Sequence, residues 1–149
     1  MAEKPSFRDA LHKRRCLVPS DGFYEWRGSK GAKQPYRILS SDRGLFAFAG
    51  LWERWDKGDG EPVESFTIIT TEANSKLAAV HARMPVILDP ADFEHWLSPD
   101  LAVNDARALL RPAPDDAVEF HAVGKHVNNA RNDDPECITP LPDGGKDEL

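Results

Sequence analysis

Cys16-Leu17-Val18-Pro19-Ser20-Asp21-Gly22-Phe23-Tyr24-Glu25-Trp26 is the stretch on which the reading of this chain turns. Leu17–Val18 and Gly22–Arg27 read as strand, and side chains alternate between the two faces of a strand. Phe23 and Glu25 then share one face, and Tyr24 and Trp26 share the other. A second stretch, Ala79-Val80-His81-Ala82-Arg83-Met84-Pro85-Val86-Ile87-Leu88, treated in the same way, puts His81 and Arg83 on one face. A histidine followed two residues on by an arginine sets a proton carrier beside a fork that fits phosphate oxygens. Together with Glu25 this pattern suits acid–base work on an anionic substrate.

The rest of the chain bounds that reading. With 149 residues it is one domain of ordinary size, able to bury about 70% of its unfolded surface. Hydrophobic residues make up 40% and charged residues 30%, a globular composition. No apolar run approaches the roughly 20 residues of a membrane-spanning helix. Met1 to Arg15 has no apolar core of the secretory type, so cytoplasmic residence is expected. Lys146-Asp147-Glu148-Leu149 spells an endoplasmic-reticulum retention address, which has no use without entry to that route and is read as coincidental. The net charge of −6 is uneven: residues 1–57 carry 12 basic and 7 acidic residues (+5), residues 58–149 carry 7 and 18 (−11). Overall acidity argues against non-specific duplex binding but leaves room for a local basic face.

Short strands and helices follow one another without a regular β-α-β period, which predicts an α+β domain. Pro5 to Arg15 reads as a helix, and Pro35–Leu39 and Leu45–Trp52 as strands. Ser65 to Thr71 is the most strand-like run, Ala73 to Ala79 a short helix, and Met84–Leu88 a strand. Asp89-Pro90 opens a helix to Leu97 with Asp89 as N-cap. Asn104–Leu110 reads as helix and Val118–Val123 as strand. Cys16 reads as a small core residue and Cys137 as part of a polar closing segment. Trp52 and Trp55 read as core or rim packing, with base stacking as the alternative. Glu25, on residue type alone, reads as a strand-face carboxylate paired with an arginine. The histidines show no metal-ligand spacing, so no metal and no cofactor are expected.

Five ordered segments carry a family resemblance. Arg15-Cys16-Leu17-Val18-Pro19-Ser20-Asp21-Gly22-Phe23-Tyr24-Glu25-Trp26 resembles the signature of the SOS response-associated peptidase (SRAP) family of abasic-site processing proteins. Phe48-Ala49-Gly50-Leu51-Trp52, Thr67-Ile68-Ile69-Thr70-Thr71-Glu72-Ala73-Asn74 and His81–Leu88 follow in order. Val127-Asn128 with Asn132-Asp133-Asp134-Pro135-Glu136 resembles the closing motif. The resemblance implies a mixed, mostly antiparallel, barrel-like sheet with a few short flanking helices. It also implies binding of single-stranded DNA that contains abasic sites, with no role for a membrane. In the family an N-terminal cysteine, exposed by removal of what precedes it, closes a thiazolidine on the abasic aldehyde. By position, Glu25 and His81 match the catalytic proton carriers, and Arg83 and Thr70 match DNA-contacting residues.

The chain departs from the family at its start. Members begin Met-Cys-Gly-Arg, whereas this sequence begins Met1-Ala2-Glu3-Lys4, and the family's Asn-Ala-Arg-x-Glu motif is absent. The expectation is therefore residues 1–141 of an SRAP domain lacking its N-terminal portion, followed by an acidic flexible tail, 142–149. No nucleophile is expected in this chain, because the amide nitrogens of Cys16 and Cys137 cannot supply the free amine of a thiazolidine. Cross-linking activity is accordingly expected to be absent, with a non-catalytic DNA- or protein-binding remnant as the alternative. An open sheet edge would further favour a homodimer or the missing N-terminal fragment as partner.

Overall fold

The structure is a computed structural model describing residues 5–29, 31–56, 58 and 60–142. Met1 to Lys4, Lys30 and nearly all of the expected tail, including Lys146–Leu149, lie outside the described residues. The elements run α1 (Pro5–Lys13), β1 (Arg15–Ser20), β2 (Phe23–Arg27), β3 (Gln34–Ser40), β4 (Phe46–Trp55), β5 (Val63–Ile68), β6 (Thr70–Glu72), β7 (Arg83–Pro85), α2 (Phe93–Leu97), α3 (Val103–Ala108) and β8 (Val118–Ala122). Short 3₁₀ turns join several of them. The α+β, antiparallel expectation holds: every named strand pair is antiparallel. The described strands do not close into a barrel. They form three sheets, ordered β1-β4-β5, β2-β3-β8 and β6-β7.

β4 organises the interior. Residues Phe46 to Leu51 are buried without interruption, the pattern of a strand covered on both faces. Ala49 and Leu51 point into one cluster with Leu11 of α1, Trp96 of α2 and Ala106 of α3. Phe46 and Phe48 point into a second cluster with Ile38, Leu77, Met84 and Val118. Phe23 of β2 seals that second cluster, its ring edge-on to Phe48 at 5.7 Å between centroids. β2 is thereby pinned face-down on the sheet that contains β4.

Arg15 corrects the expected end of the first helix. The helix stops at Lys13, and Arg15 opens β1 with its side chain buried. Its guanidinium donates to the Leu11 carbonyl at 2.5 Å and the His12 carbonyl at 2.9 Å, both at the end of α1. It also donates to the Trp96 carbonyl at 2.6 Å and to that of Ser98, at the end of α2. One cation thus satisfies orphan carbonyls at two helix C-termini, where the helix dipole favours positive charge.

The expected strand from Ser65 to Thr71 is broken at Ile69. The Ile69 amide donates to Ala49 and its carbonyl accepts from Val86, both at 2.9 Å. The chain therefore changes partner there, from β4 to β7, and Thr70 falls in a separate short strand. The expected helix from Ala73 to Ala79 shrinks to one 3₁₀ turn, Leu77–Ala79. Likewise the strand expected over Met84–Leu88 is three residues long, with an isolated bridge from Ile87 to Phe48. Asp89 caps as anticipated, accepting from the Ala91 amide, although the first turn after it is 3₁₀.

Candidate functional site

Glu25 reaches its place through the alternation of β2. Phe23 is half-buried against the second cluster, so Glu25, two residues on, rises from the same face. Tyr24 and Trp26 emerge on the opposite face with ring centroids 6.3 Å apart. That back face is held by the closing loop: the Tyr24 hydroxyl donates to the Cys137 carbonyl at 3.2 Å and the Trp26 indole to Asn128 Oδ1 at 2.7 Å. Glu25 is thus set on a strand braced on both sides.

His81 arrives differently from the expectation. It precedes β7 rather than lying in it, in a short connection after the Leu77–Ala79 turn. Asn74, which the sequence reading passed over as a position of interest, builds that connection. Buried Asn74 accepts the Leu77 amide at 2.9 Å and donates to the Ala113 carbonyl at 3.0 Å. The His81 amide then closes onto the Leu77 carbonyl at 2.9 Å. Its Nδ1 lies 3.0 Å from the Arg83 carbonyl oxygen and 3.2 Å from the Arg83 amide nitrogen. With a proton on Nδ1 the ring donates to the carbonyl; without one it accepts from the amide.

Nδ1 of His81 also lies 3.5 Å from Glu25 Oε1. Among the described residues the partner of the Glu25 carboxylate is therefore this imidazole and not an arginine. The pair is open to solvent, with the Glu25 side chain 26% and the His81 side chain 46% exposed.

Arg83 and Thr70 meet on the small sheet. Register pairs Thr70 with Pro85 and Glu72 with Arg83, which makes Thr70 and Arg83 diagonal neighbours. The Arg83 guanidinium donates from Nε to Thr70 Oγ1 at 3.2 Å and from Nη2 to Thr70 O at 2.7 Å and Oγ1 at 2.8 Å. No carboxylate lies within 4 Å of this guanidinium among the described residues. Arg83 is a held but un-neutralised cation, two residues from His81. The four residues singled out from sequence thus fall in two linked pairs, Glu25–His81 and Thr70–Arg83.

The two cysteines stand apart from this site. Cys16 is half-buried rather than core, and burial pushes its thiol up from the ordinary range. Cys137, expected in a polar segment, is buried. Its thiol donates to the Asn132 carbonyl at 3.7 Å. His126, Asp134 and Cys137 form the one grouping of three metal-type donors among the described residues, within 4.8 Å of one another. Their polar atoms already have protein partners: Asp134 Oδ2 holds His126 Nε2 at 2.8 Å, and Oδ1 accepts the Glu136 amide at 2.9 Å. The grouping clamps the closing loop behind β2. No helix is long and apolar enough to cross a membrane among the described residues.

The family model for the SOS response associated peptidase (SRAP) matches residues 1–130. Abasic site processing protein YoqW of Bacillus subtilis (strain 168) is 43% identical over 140 residues, covering 93% of this chain and 62% of YoqW. Abasic site processing protein HMCES of Gallus gallus is 40% identical over 164 residues, covering 95% of this chain and 48% of that protein. A crystal structure of a protein from Bacteroides thetaiotaomicron superposes with a TM-score of 0.86 at 36% identity, over 94% of this chain and 62% of the other. The chain spans less than two thirds of the length of these relatives. With a family match over most of its length and the expected site residues gathered on one surface, the chain belongs to the SOS response-associated peptidase family.

Proposed function

We propose that this chain binds single-stranded DNA at abasic sites. On this reading Arg83, steadied by Thr70, holds a backbone phosphate, while Glu25 and His81 handle protons at the sugar aldehyde. The observation that carries it is the Glu25–His81 contact at 3.5 Å beside an arginine with no carboxylate partner among the described residues. A nucleophile adding to an aldehyde must lose a proton, and the hydroxyl that forms must gain one to leave as water. A carboxylate and an imidazole within one proton's reach serve both needs in turn. Arg83 offers a planar fork that fits a phosphate, and its two bonds from Nη2 and one from Nε to Thr70 fix its orientation before DNA arrives. A DNA substrate also places the protein in the compartment that holds the genome.

The family's covalent chemistry needs an amine and a thiol on one terminal residue. Cys16 lies within β1 and Cys137 within a 3₁₀ turn, so neither offers a free amine. Our reading is that this chain keeps the binding and proton-handling residues, while the amine–thiol nucleophile is not furnished by either of these cysteines. The chain alone then acts as a non-covalent abasic-site binder. The test is a titration of the purified chain with single-stranded DNA bearing one abasic site, read on native and denaturing gels. The expected result is a mobility shift on the native gel and no band that survives denaturation. No shift at any protein concentration would remove the DNA reading. A denaturation-resistant band would remove the claim about the nucleophile.

A further inference from the structure

We propose that His126, Asp134 and Cys137 are the ligands of a divalent ion of the zinc type, which fastens the closing loop behind β2. Their donor atoms lie within 4.8 Å of one another. The spacing of the histidines gives no sign of this site, because it uses one histidine only. An aspartate follows eight residues on, and a cysteine three residues beyond that.

The backbone gathers the three before an ion arrives. His126 lies in the 3₁₀ turn Lys125–Asn128, and Cys137 in the 3₁₀ turn Pro135–Ile138, which Asp134 caps. Asp134 Oδ1 accepts the Glu136 amide at 2.9 Å and the Asp134 carbonyl accepts the Cys137 amide at 3.0 Å, so Oδ2 remains for His126. Asn132 ties the two turns. Its side-chain amide donates to the His126 carbonyl at 2.8 Å, and its main-chain carbonyl accepts the Cys137 thiol at 3.7 Å. A thiol is a weak donor, so that last bond is readily exchanged for a metal. Tetrahedral zinc, with bonds of about 2.0 to 2.3 Å, keeps its ligand atoms roughly 3.3 to 3.7 Å apart. Inward movement of about 1 Å closes the grouping to that size. Cys137 is buried, while the His126 and Asp134 side chains are partly exposed, which leaves the fourth position to water.

Each proton has a destination. His126 Nδ1 accepts from Asn132 Nδ2 at 3.1 Å, so the ring carries its proton on Nε2 and donates it to Asp134 Oδ2 at 2.8 Å. The ion takes the place of that proton between Nε2 and Oδ2. The ring proton moves to Nδ1, where Glu136 Oε1, 3.9 Å away, replaces Asn132 as its partner. The Cys137 thiol releases its proton to solvent. One thiolate and one carboxylate then balance the two charges of the ion. Sulfur and imidazole nitrogen in the set favour zinc over magnesium or calcium. The His126–Asp134 hydrogen bond is the metal-free form of the same clamp. The loop it closes also accepts the Tyr24 hydroxyl at the Cys137 carbonyl and the Trp26 indole at Asn128, so the ion braces β2 from behind. This inference is independent of the DNA reading.

The test uses the full chain freed of metal with a chelator, with cobalt and zinc ions as probes. The expected result is one cobalt ion per chain, with a thiolate-to-cobalt absorption band that zinc displaces. The melting temperature should rise with zinc concentration. The chain has two cysteines, so a band that persists in Cys16→Ser belongs to Cys137. His126→Gln should lose the band. Glu136→Gln, at a side chain 69% exposed, should keep the fold and weaken zinc about tenfold or more. A folded parent chain without a thiolate band overturns the proposal. So does a band that disappears in Cys16→Ser. A stoichiometry of one ion to two chains also overturns it, because the site would then be shared between copies. Zinc affinity unchanged in both His126→Gln and Glu136→Gln overturns it as well.

Discussion

Replacing Arg83 separates the charge at the proposed DNA surface from its positioning. The guanidinium has no carboxylate within 4 Å among the described residues, so its full charge is available to a phosphate. Each phosphate neutralised on a single strand contributes about 0.7 to the slope of log affinity against log salt. Arg83→Ala should flatten that slope by about 0.7, so the affinity gap to the parent shrinks about 2.6-fold between roughly 50 and 200 mM salt. The gap itself should be about tenfold at the lower salt, the value of one exposed charge-assisted contact of about 1.5 kcal/mol. Arg83→Lys keeps the charge but cannot reproduce the three bonds to Thr70, so the slope should stay while affinity falls. Thr70→Val removes Oγ1 and leaves the Thr70 carbonyl, so it should cost less than Arg83→Lys with no change of slope. Fluorescence anisotropy of labelled abasic single-stranded DNA at four salt concentrations measures all of these. An Arg83→Ala slope equal to the parent's would show that Arg83 does not sit on a phosphate.

Asn74→Ala should destabilise the fold by about 3 kcal/mol, since it removes a buried side chain bonded to the Leu77 amide and the Ala113 carbonyl. Urea unfolding checks it, and a loss below about 1 kcal/mol would mean that the His81 connection is held by other contacts. The His126–Asp134 pair predicts a pH window. The hydrogen bond between them is the main cause that raises His126 from 6.5 and lowers Asp134 from 3.8. The imidazolium's contribution is complete below 6.5 and fades as pH rises through the raised folded value. The carboxylate's is complete above 3.8 and fades as pH falls through the lowered folded value. Asp134→Asn should therefore lose most thermal stability between those limits and approach the parent outside them. Melting temperatures at a series of pH values decide this; an equal gap at pH values on both sides of and inside the window would sink it.

The site was legible where its cause is local. Phe23, Glu25, Tyr24 and Trp26 divide between faces because a strand has a period of two, and the structure keeps that division. Asp89 could be read as a cap because the acceptor and the Ala91 amide are two residues apart. His81 was misplaced onto a strand because its position depends on Asn74, whose partner Ala113 is 39 residues away. Arg15 was read as the end of a helix because its partners Trp96 and Ser98 lie 81 and 83 residues on. Cys137 was placed in a polar segment because the residue that bonds its main-chain carbonyl, Tyr24, lies 113 residues away.

The sequence by itself determined the family resemblance and the α+β class, because five ordered motifs and the order of short elements are read from neighbouring residues; the antiparallel sheet was what the resemblance implied. It also named Glu25, His81, Thr70 and Arg83. Only the tertiary structure decided that Glu25 faces His81, that Thr70 holds Arg83, and that Val63 and Phe66 of β5 stand exposed. Those are contacts between segments whose separation along the chain carries no signal of their separation in space. The Ile69 amide and carbonyl make the point most plainly: by bonding to Ala49 and Val86 they split one apparent strand into two and turn Thr70 toward Arg83.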